Sequence, residues 1–215
     1  MIYMTYKSYF YFIYIKINII MIEAICGPMF SGKTEELIRR LKRAQIARKS
    51  IIVFKPQIDN RYNSKKIITH SKQSFLSKVV KNSKHMNFIL KQIKYKINVI
   101  GIDEIQFFDH KIINIIEKLA NINKRIIAAG LDQDYLGNPF GPMPALLAIA
   151  DKINKQSAIC MVCGNTATKT QRIYNQKLIN KINKQILIGT TELYEARCRA
   201  CYVKILNTSK KQIKN

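Results

Sequence analysis

Gly27-Pro28-Met29-Phe30-Ser31-Gly32-Lys33-Thr34 fits G-x-x-x-x-G-K-[ST], the spacing of a phosphate-binding loop. That loop needs a buried strand before it and a helix after it. The apolar run Ile22 to Cys26 supplies the strand. Glu35, Glu36, Leu37, Ile38, Leu41 and Ala44 supply an amphipathic helix, with its acids in the first turn, where the helix dipole favours them. Successive backbone N–H groups and a helix N-terminus make a concave anion site. Gly27 and Gly32 let the backbone wrap closely around phosphate oxygens, Lys33 can reach the β- and γ-phosphates, and the Thr34 hydroxyl can ligate magnesium (Mg2+).

Outward from the loop, the same alternation continues. Ile51 to Phe54 is a second buried strand, ended by Lys55-Pro56, and Asp59 to Ser64 is a loop. Residues 65–98 are lysine-rich and weakly patterned, with Phe88, Ile89, Ile93 and Ile97 suggesting a helix. His70 and His85 lie there and receive no role. Val99 to Ile102 is a third apolar run, ending in Asp103-Glu104. Two acids at the end of a buried strand are costly unless they are paired or at work. After a phosphate loop, the first is placed to hold the metal, and Glu104 then points into the crevice. Ile112, Ile113, Ile115, Ile116 and Leu119 form a helix, and Ile126 to Asp132 is a fourth strand. Asn138 to Pro142 is dense in turn formers, and Leu146, Leu147, Ile149 and Ala150 close the domain near Asp151. Strands alternating with helices mean an α/β fold with a parallel sheet flanked by helices. Ligands bind at the carboxyl ends of such strands, where Thr34, Asp103 and Asp132 would gather.

The 215 residues suit one domain, or one domain with a small satellite. The net charge of +24, from 37 basic and 13 acidic residues, invites a nucleic-acid reading. The lysines are scattered, however, amid an excess of Ile and Asn, so compositional drift outweighs a nucleic-acid footprint. A basic surface still steers anions toward a triphosphate site. Tyr9 to Met21 is aromatic and isoleucine-rich, but Lys16 and Asn18 interrupt it and it is short for a membrane span. No small-residue cleavage site follows, so residues 1–20 are expected to be an extension outside the core, with a membrane tether as the alternative.

Cys160-Met161-Val162-Cys163 and Cys198-Arg199-Ala200-Cys201 are two Cys-x-x-Cys knuckles with 34 residues between them; Cys26 stands alone. This arrangement argues for a metal site in a reducing compartment, the cytoplasm, and against a disulfide framework. Four thiolates satisfy tetrahedral zinc (Zn2+) with no open position, which is a structural site. The insert carries Thr170, Arg172, Tyr174 and the apolar run Ile186-Leu187-Ile188; held at its base, it could close over a substrate.

Together these pieces resemble the thymidine kinase family of the cellular, zinc-containing type, over Ile22 to about Lys204. The residues that carry the resemblance are the loop at 27–34, Phe-Lys-Pro at 54–56, Asp-Glu-Ile-Gln-Phe-Phe at 103–108, Gly-Leu-Asp at 130–132, Pro-Phe-Gly at 139–141, the two cysteine pairs and Tyr-Glu-Ala-Arg-Cys-Arg at 194–199. The resemblance implies a RecA-like P-loop domain (21–151), a zinc-binding lasso domain (152–206) and a basic tail (207–215). It implies transfer of the γ-phosphate of ATP to the 5′-hydroxyl of thymidine. Glu104 matches the catalytic base and Asp103 the magnesium-associated acid, and ATP lies along Gly27 to Thr34 and Asp103, Glu104, Ile105 and Gln106. Met29, Leu131, Tyr135, Phe140, Thr170 and Tyr194 match the pocket for the thymine base. Members are usually homotetramers inhibited by the end product dTTP, with neither nucleic acid nor membrane as partner. Thr190 stands where many relatives have a glycine, and Tyr135 where many have phenylalanine, so its hydroxyl needs a partner if buried.

Two other classes fit parts of the sequence. A P-loop ATPase with a zinc ribbon acting on nucleic acid suits the charge, but no interleaved aromatic and basic platform for single strands is visible. A non-catalytic zinc-binding structural protein would have no use for Lys33, Thr34, Asp103 and Glu104 together.

Overall fold

The computed structural model describes residues 22–59, 66–69, 73–174, 177–178 and 193–203. Residues 1–20, most of the loop at 59–64, His70, the run 186–188, Thr190 and the basic tail lie outside the described residues.

Six strands form one parallel sheet in the order β5-β2-β6-β7-β1-β8. They are β1 (Ile22–Cys26), β2 (Ile51–Pro56), β5 (Lys78–Val80), β6 (Val99–Ile102), β7 (Arg125–Gly130) and β8 (Lys152–Lys155). The four central strands are the continuous apolar runs of the sequence, as strands covered on both faces must be. The edge strands β5 and β8 were not foreseen. Lys78-Val79-Val80 and Lys152-Ile153-Asn154-Lys155 are short, and their lysines face solvent. Such edges discourage pairing with other chains and carry little apolar signal.

Helix α1 (Lys33–Ile46) covers one face of the sheet, packing Leu37, Ile38, Leu41 and Ala44 against Ile25, Val53, Ile127 and Ala129. Helices α2 (Ser83–Gln92), α3 (Lys111–Asn121) and α4 (Met143–Ile149) cover the other, with Met86, Leu90, Ile112, Ile116 and Leu146 against Ala24, Ile100, Ile126 and Ala128. Helix α2 begins earlier than its isoleucines suggest, because the Asn82 side chain accepts from the His85 N–H at 2.9 Å and caps it. Ile93 and Ile97 follow its end and still pack on the core.

Antiparallel pairs occupy the rest. A small pair, β3 (Lys66–Ile68) with β4 (Ser74–Leu76), lies between β2 and β5 in sequence. Beyond β8, β9 (Ala158–Ile159) pairs with β10 (Thr166–Ala167), and β11 (Lys169–Tyr174) pairs with both β12 (Lys177–Leu178) and β13 (Tyr194–Arg197). The first cysteine knuckle sits between β9 and β10, and the second follows β13.

Candidate active site

The loop after β1 turns on backbone that few residues tolerate. Gly27 has φ +145°, and a Cβ there would lie 2.4 Å from the Gln156 carbonyl oxygen, so only glycine fits. Gly32, at φ 77°, starts α1, and the Glu36 N–H donates to its carbonyl at 3.0 Å. The Pro28 carbonyl accepts from Lys33 Nζ at 2.6 Å and from Ser31 Oγ at 2.9 Å, so Lys33 lies back across the loop. Cys26, just ahead, is fully buried. Burial pushes its thiol up to about 11, with Asp132 adding to the rise, so it is an inert packing group.

Strand β6 ends beside this loop. Thr34 Oγ1 lies 3.4 and 3.3 Å from the two Asp103 carboxylate oxygens. A hydroxyl and a carboxylate converging on one point are the hard oxygen donors that magnesium takes, so this pair fits that ion. The next residue, Glu104, adopts φ 51°, ψ 42°, a left-handed conformation unusual for a side chain of its size, before the short 3-10 turn Ile105–Phe107. Its N–H donates to Asp103 Oδ1 at 3.1 Å. The carboxylate has a partner: the Gln106 amide donates to Glu104 Oε2, while Gln106 Oε1 accepts from the Leu131 N–H at 3.0 Å. Gln106 is 2% exposed and so ties the end of β6 to the end of β7 from within the protein. A Cβ on Gly130 would lie 2.5 Å from Gln106 Oε1, so that glycine makes room for the strut. Ile105 is buried in the core beside it. Asp132 reaches the same rim of the sheet but pairs with Lys155 at 2.8 Å, a partner the sequence did not suggest.

Four of the base-pocket candidates, Met29, Tyr135, Thr170 and Tyr194, gather around β11. Thr170 Oγ1 accepts from the Met29 N–H at 3.0 Å, which docks β11 on the phosphate loop. Arg172, noted in sequence only as part of the insert, is 1% exposed and is the largest of the fully buried side chains among the described residues. Its guanidinium lies 3.7 Å from the Tyr135 ring centre and donates to the Tyr194 hydroxyl at 2.7 and 3.2 Å. The other two candidates are held elsewhere: the Leu131 N–H donates to Gln106, and Phe140 stands edge-on to Phe107 at 5.5 Å between ring centres. The Tyr135 hydroxyl is buried and has no hydrogen-bond partner among the described residues. Two residues unremarked in the sequence fix the Tyr135 loop. Asp134 Oδ1 accepts from the Leu136 and Asn138 N–H groups at 2.9 Å each, and the Tyr202 hydroxyl donates to the Tyr135 carbonyl at 2.8 Å. An aspartate that accepts from residues two and four positions on was a readable turn signal; Tyr202 carried none.

The sulfurs of Cys160, Cys163, Cys198 and Cys201 lie within 4.8 Å of one another. No disulfide joins them, and the Cys163 and Cys198 sulfurs are 3.7 Å apart. A tetrahedron with metal–sulfur bonds of about 2.3 Å has edges of about 3.8 Å, so the cluster fits zinc. Hydrogen bonds from neighbouring backbone groups, that of Cys198 foremost, draw the Cys160 thiol down to about 6. Phe30 of the phosphate loop packs against the apolar residues of this cluster.

Among the described residues, no helix is long and apolar enough to cross a membrane. One family model matches the chain over residues 20–202, and its description is thymidine kinase.

Proposed function

The chain belongs to the thymidine kinase family of ATP-dependent kinases, and on that premise we propose that it moves the γ-phosphate of ATP to the 5′-hydroxyl of thymidine, giving dTMP for DNA synthesis. The observation that carries this reading is the meeting of Thr34 with Asp103 at 3.3 Å, with Glu104 the next residue along. It supports a phosphate cradle, a metal-binding oxygen pair and a base meeting at the carboxyl ends of the central strands.

The roles follow from the chemistry. Phosphoryl transfer needs positioning and charge neutralisation more than covalent work. Within Gly27 to Thr34 the backbone N–H groups hold the phosphates, except at Pro28, which has none, and Met29, whose N–H is held by Thr170; Lys33 exchanges the Pro28 carbonyl for a phosphate oxygen. Thr34 and Asp103 are the residues that would hold magnesium, which neutralises phosphate charge when bound. Glu104 takes the proton of the attacking hydroxyl. Gln106 keeps that carboxylate in place. Met29, Leu131, Tyr135, Phe140, Thr170 and Tyr194 enclose the base. The four cysteines would hold zinc as a structural clamp on the segment that follows β8. Division into a P-loop domain at 21–151 and a lasso domain at 152–206, a cytoplasmic setting, a homotetramer and feedback by dTTP complete the reading.

The test is a set of incubations with magnesium-ATP and one nucleoside at a time, with products identified by mass and by position of the phosphate. Thymidine 5′-monophosphate is expected. ATP consumption that responds to DNA and leaves every nucleoside unchanged would overturn the proposal in favour of a nucleic-acid-dependent ATPase.

A further inference from the structure

At the pole opposite the phosphate loop, the amino-terminal ends of β1, β6, β7 and β8 and the carboxyl end of α1 surround an open pocket of about 890 Å³. Its lining holds seven basic side chains against one acid, Glu23. Three of the seven are spoken for. Arg40 pairs with Glu23 at 2.5 Å and with Glu36 at 2.7 Å, Arg125 pairs with Glu23 at 2.6 Å, and Arg39 pairs with Glu36 at 2.5 Å. The other four, Arg43, Lys49, Lys124 and Lys152, have no carboxylate partner among the described residues; Lys124 donates only to the Tyr95 carbonyl, at 2.6 Å. The carboxyl end of α1 accounts for Arg43, since cations favour that end of a helix. It does not account for lysines arriving from the turns before β2 and β7 and from the start of β8.

Like charges converging on a concavity repel unless an anion joins them, and a low-dielectric wall focuses their field. The pocket is of ligand size. Its lining has no aromatic ring on which a nucleic-acid base could stack, and its cations ring a hollow instead of following a track. Ala44, Ala47 and Ile122, the last 48% exposed, add an apolar strip. We propose that this pocket binds a compact polyphosphate anion, a nucleoside triphosphate or an inorganic chain, at a site separate from the phosphate loop.

Sodium tripolyphosphate is the probe, titrated by calorimetry into the full chain, into Lys33→Ala and into Lys49→Glu/Lys152→Glu. Both lysines of the double variant are exposed, so the core is untouched. The expected result is a saturable site that survives Lys33→Ala and weakens about tenfold or more in the double variant, because two attractive charge pairs become repulsive. Thymidine phosphorylation without the probe should be unchanged in the double variant. Should that variant lose activity through misfolding, Arg43→Gln with the same titration replaces it, with weaker binding expected. ATP competing for the surviving site in Lys33→Ala identifies a nucleotide ligand; tripolyphosphate binding that ATP does not displace identifies an inorganic one. Either supports the proposal. No saturable site in Lys33→Ala, binding indifferent to these charge changes, or binding of single-stranded DNA alone would overturn it.

Discussion

Glu104 owes its position to its own backbone and to two neighbours, Gln106 and Gly130. Its left-handed backbone carries its carboxylate off the line of β6, Gln106 holds one carboxylate oxygen, and Gly130 leaves the space in which Gln106 lies. A methyl group at 130 would meet Gln106 Oε1 at 2.5 Å and Ile105 Cγ2 at 2.9 Å. Gly130→Ala should therefore lower stability by about 1–3 kcal/mol, the range for overpacking a core, and should lower turnover more than ATP affinity. Denaturant unfolding and steady-state kinetics on one preparation check both. Tyr135 offers a change of opposite sign. Its hydroxyl is buried without a partner among the described residues. An unsatisfied buried group costs about 1–3 kcal/mol, so Tyr135→Phe should leave stability unchanged or raise it. A fall in the unfolding midpoint would show that the hydroxyl has a partner.

Helix α1 is fixed to the sheet by a chain of charges, Arg39 and Arg40 on Glu36, then Arg40 and Arg125 on the buried Glu23. Hydrogen bonds from Arg39 and then Arg40 outweigh partial burial and pull the Glu36 carboxyl from 4.5 down to about 2. Because its folded pKa is depressed, this group adds stability that is complete above about pH 4.5 and disappears as the pH falls through 2. The stability difference between the native chain and Glu36→Gln should be largest near neutral pH and vanish in strong acid; a difference independent of pH would contradict it. Elements such as α1 were legible because loop motif, first-turn acids and apolar period agree. The central strands were legible because residues buried on both faces leave unbroken apolar runs. Strands β5 and β8 were not, since an edge strand such as Lys152–Lys155 is mostly solvated. The positive φ of Glu104, the burial of Arg172 and the pairing of Asp132 with Lys155 were hidden for another reason: each depends on which chain segments meet in space.

Across the molecule, the cysteine cluster and the phosphate loop are mechanically linked. Phe30 packs on the cluster, and Thr170 of β11 holds the Met29 N–H. Disruption of the cysteine cluster should thus loosen the loop as well as the small sheet. Cys163→Ser should release zinc, by atomic absorption, and raise the KM for thymidine before it abolishes ATP binding. Full metal content with full activity would contradict a structural clamp. The central claim, however, concerns one carboxylate beside one loop. Its direct test is Glu104→Gln, which keeps the shape and removes the proposed base. Magnesium-ATP should bind almost as tightly as in the native chain, while single-turnover phosphorylation of thymidine falls by about 10²-fold or more. Phosphorylation at a near-native rate in Glu104→Gln would contradict the account.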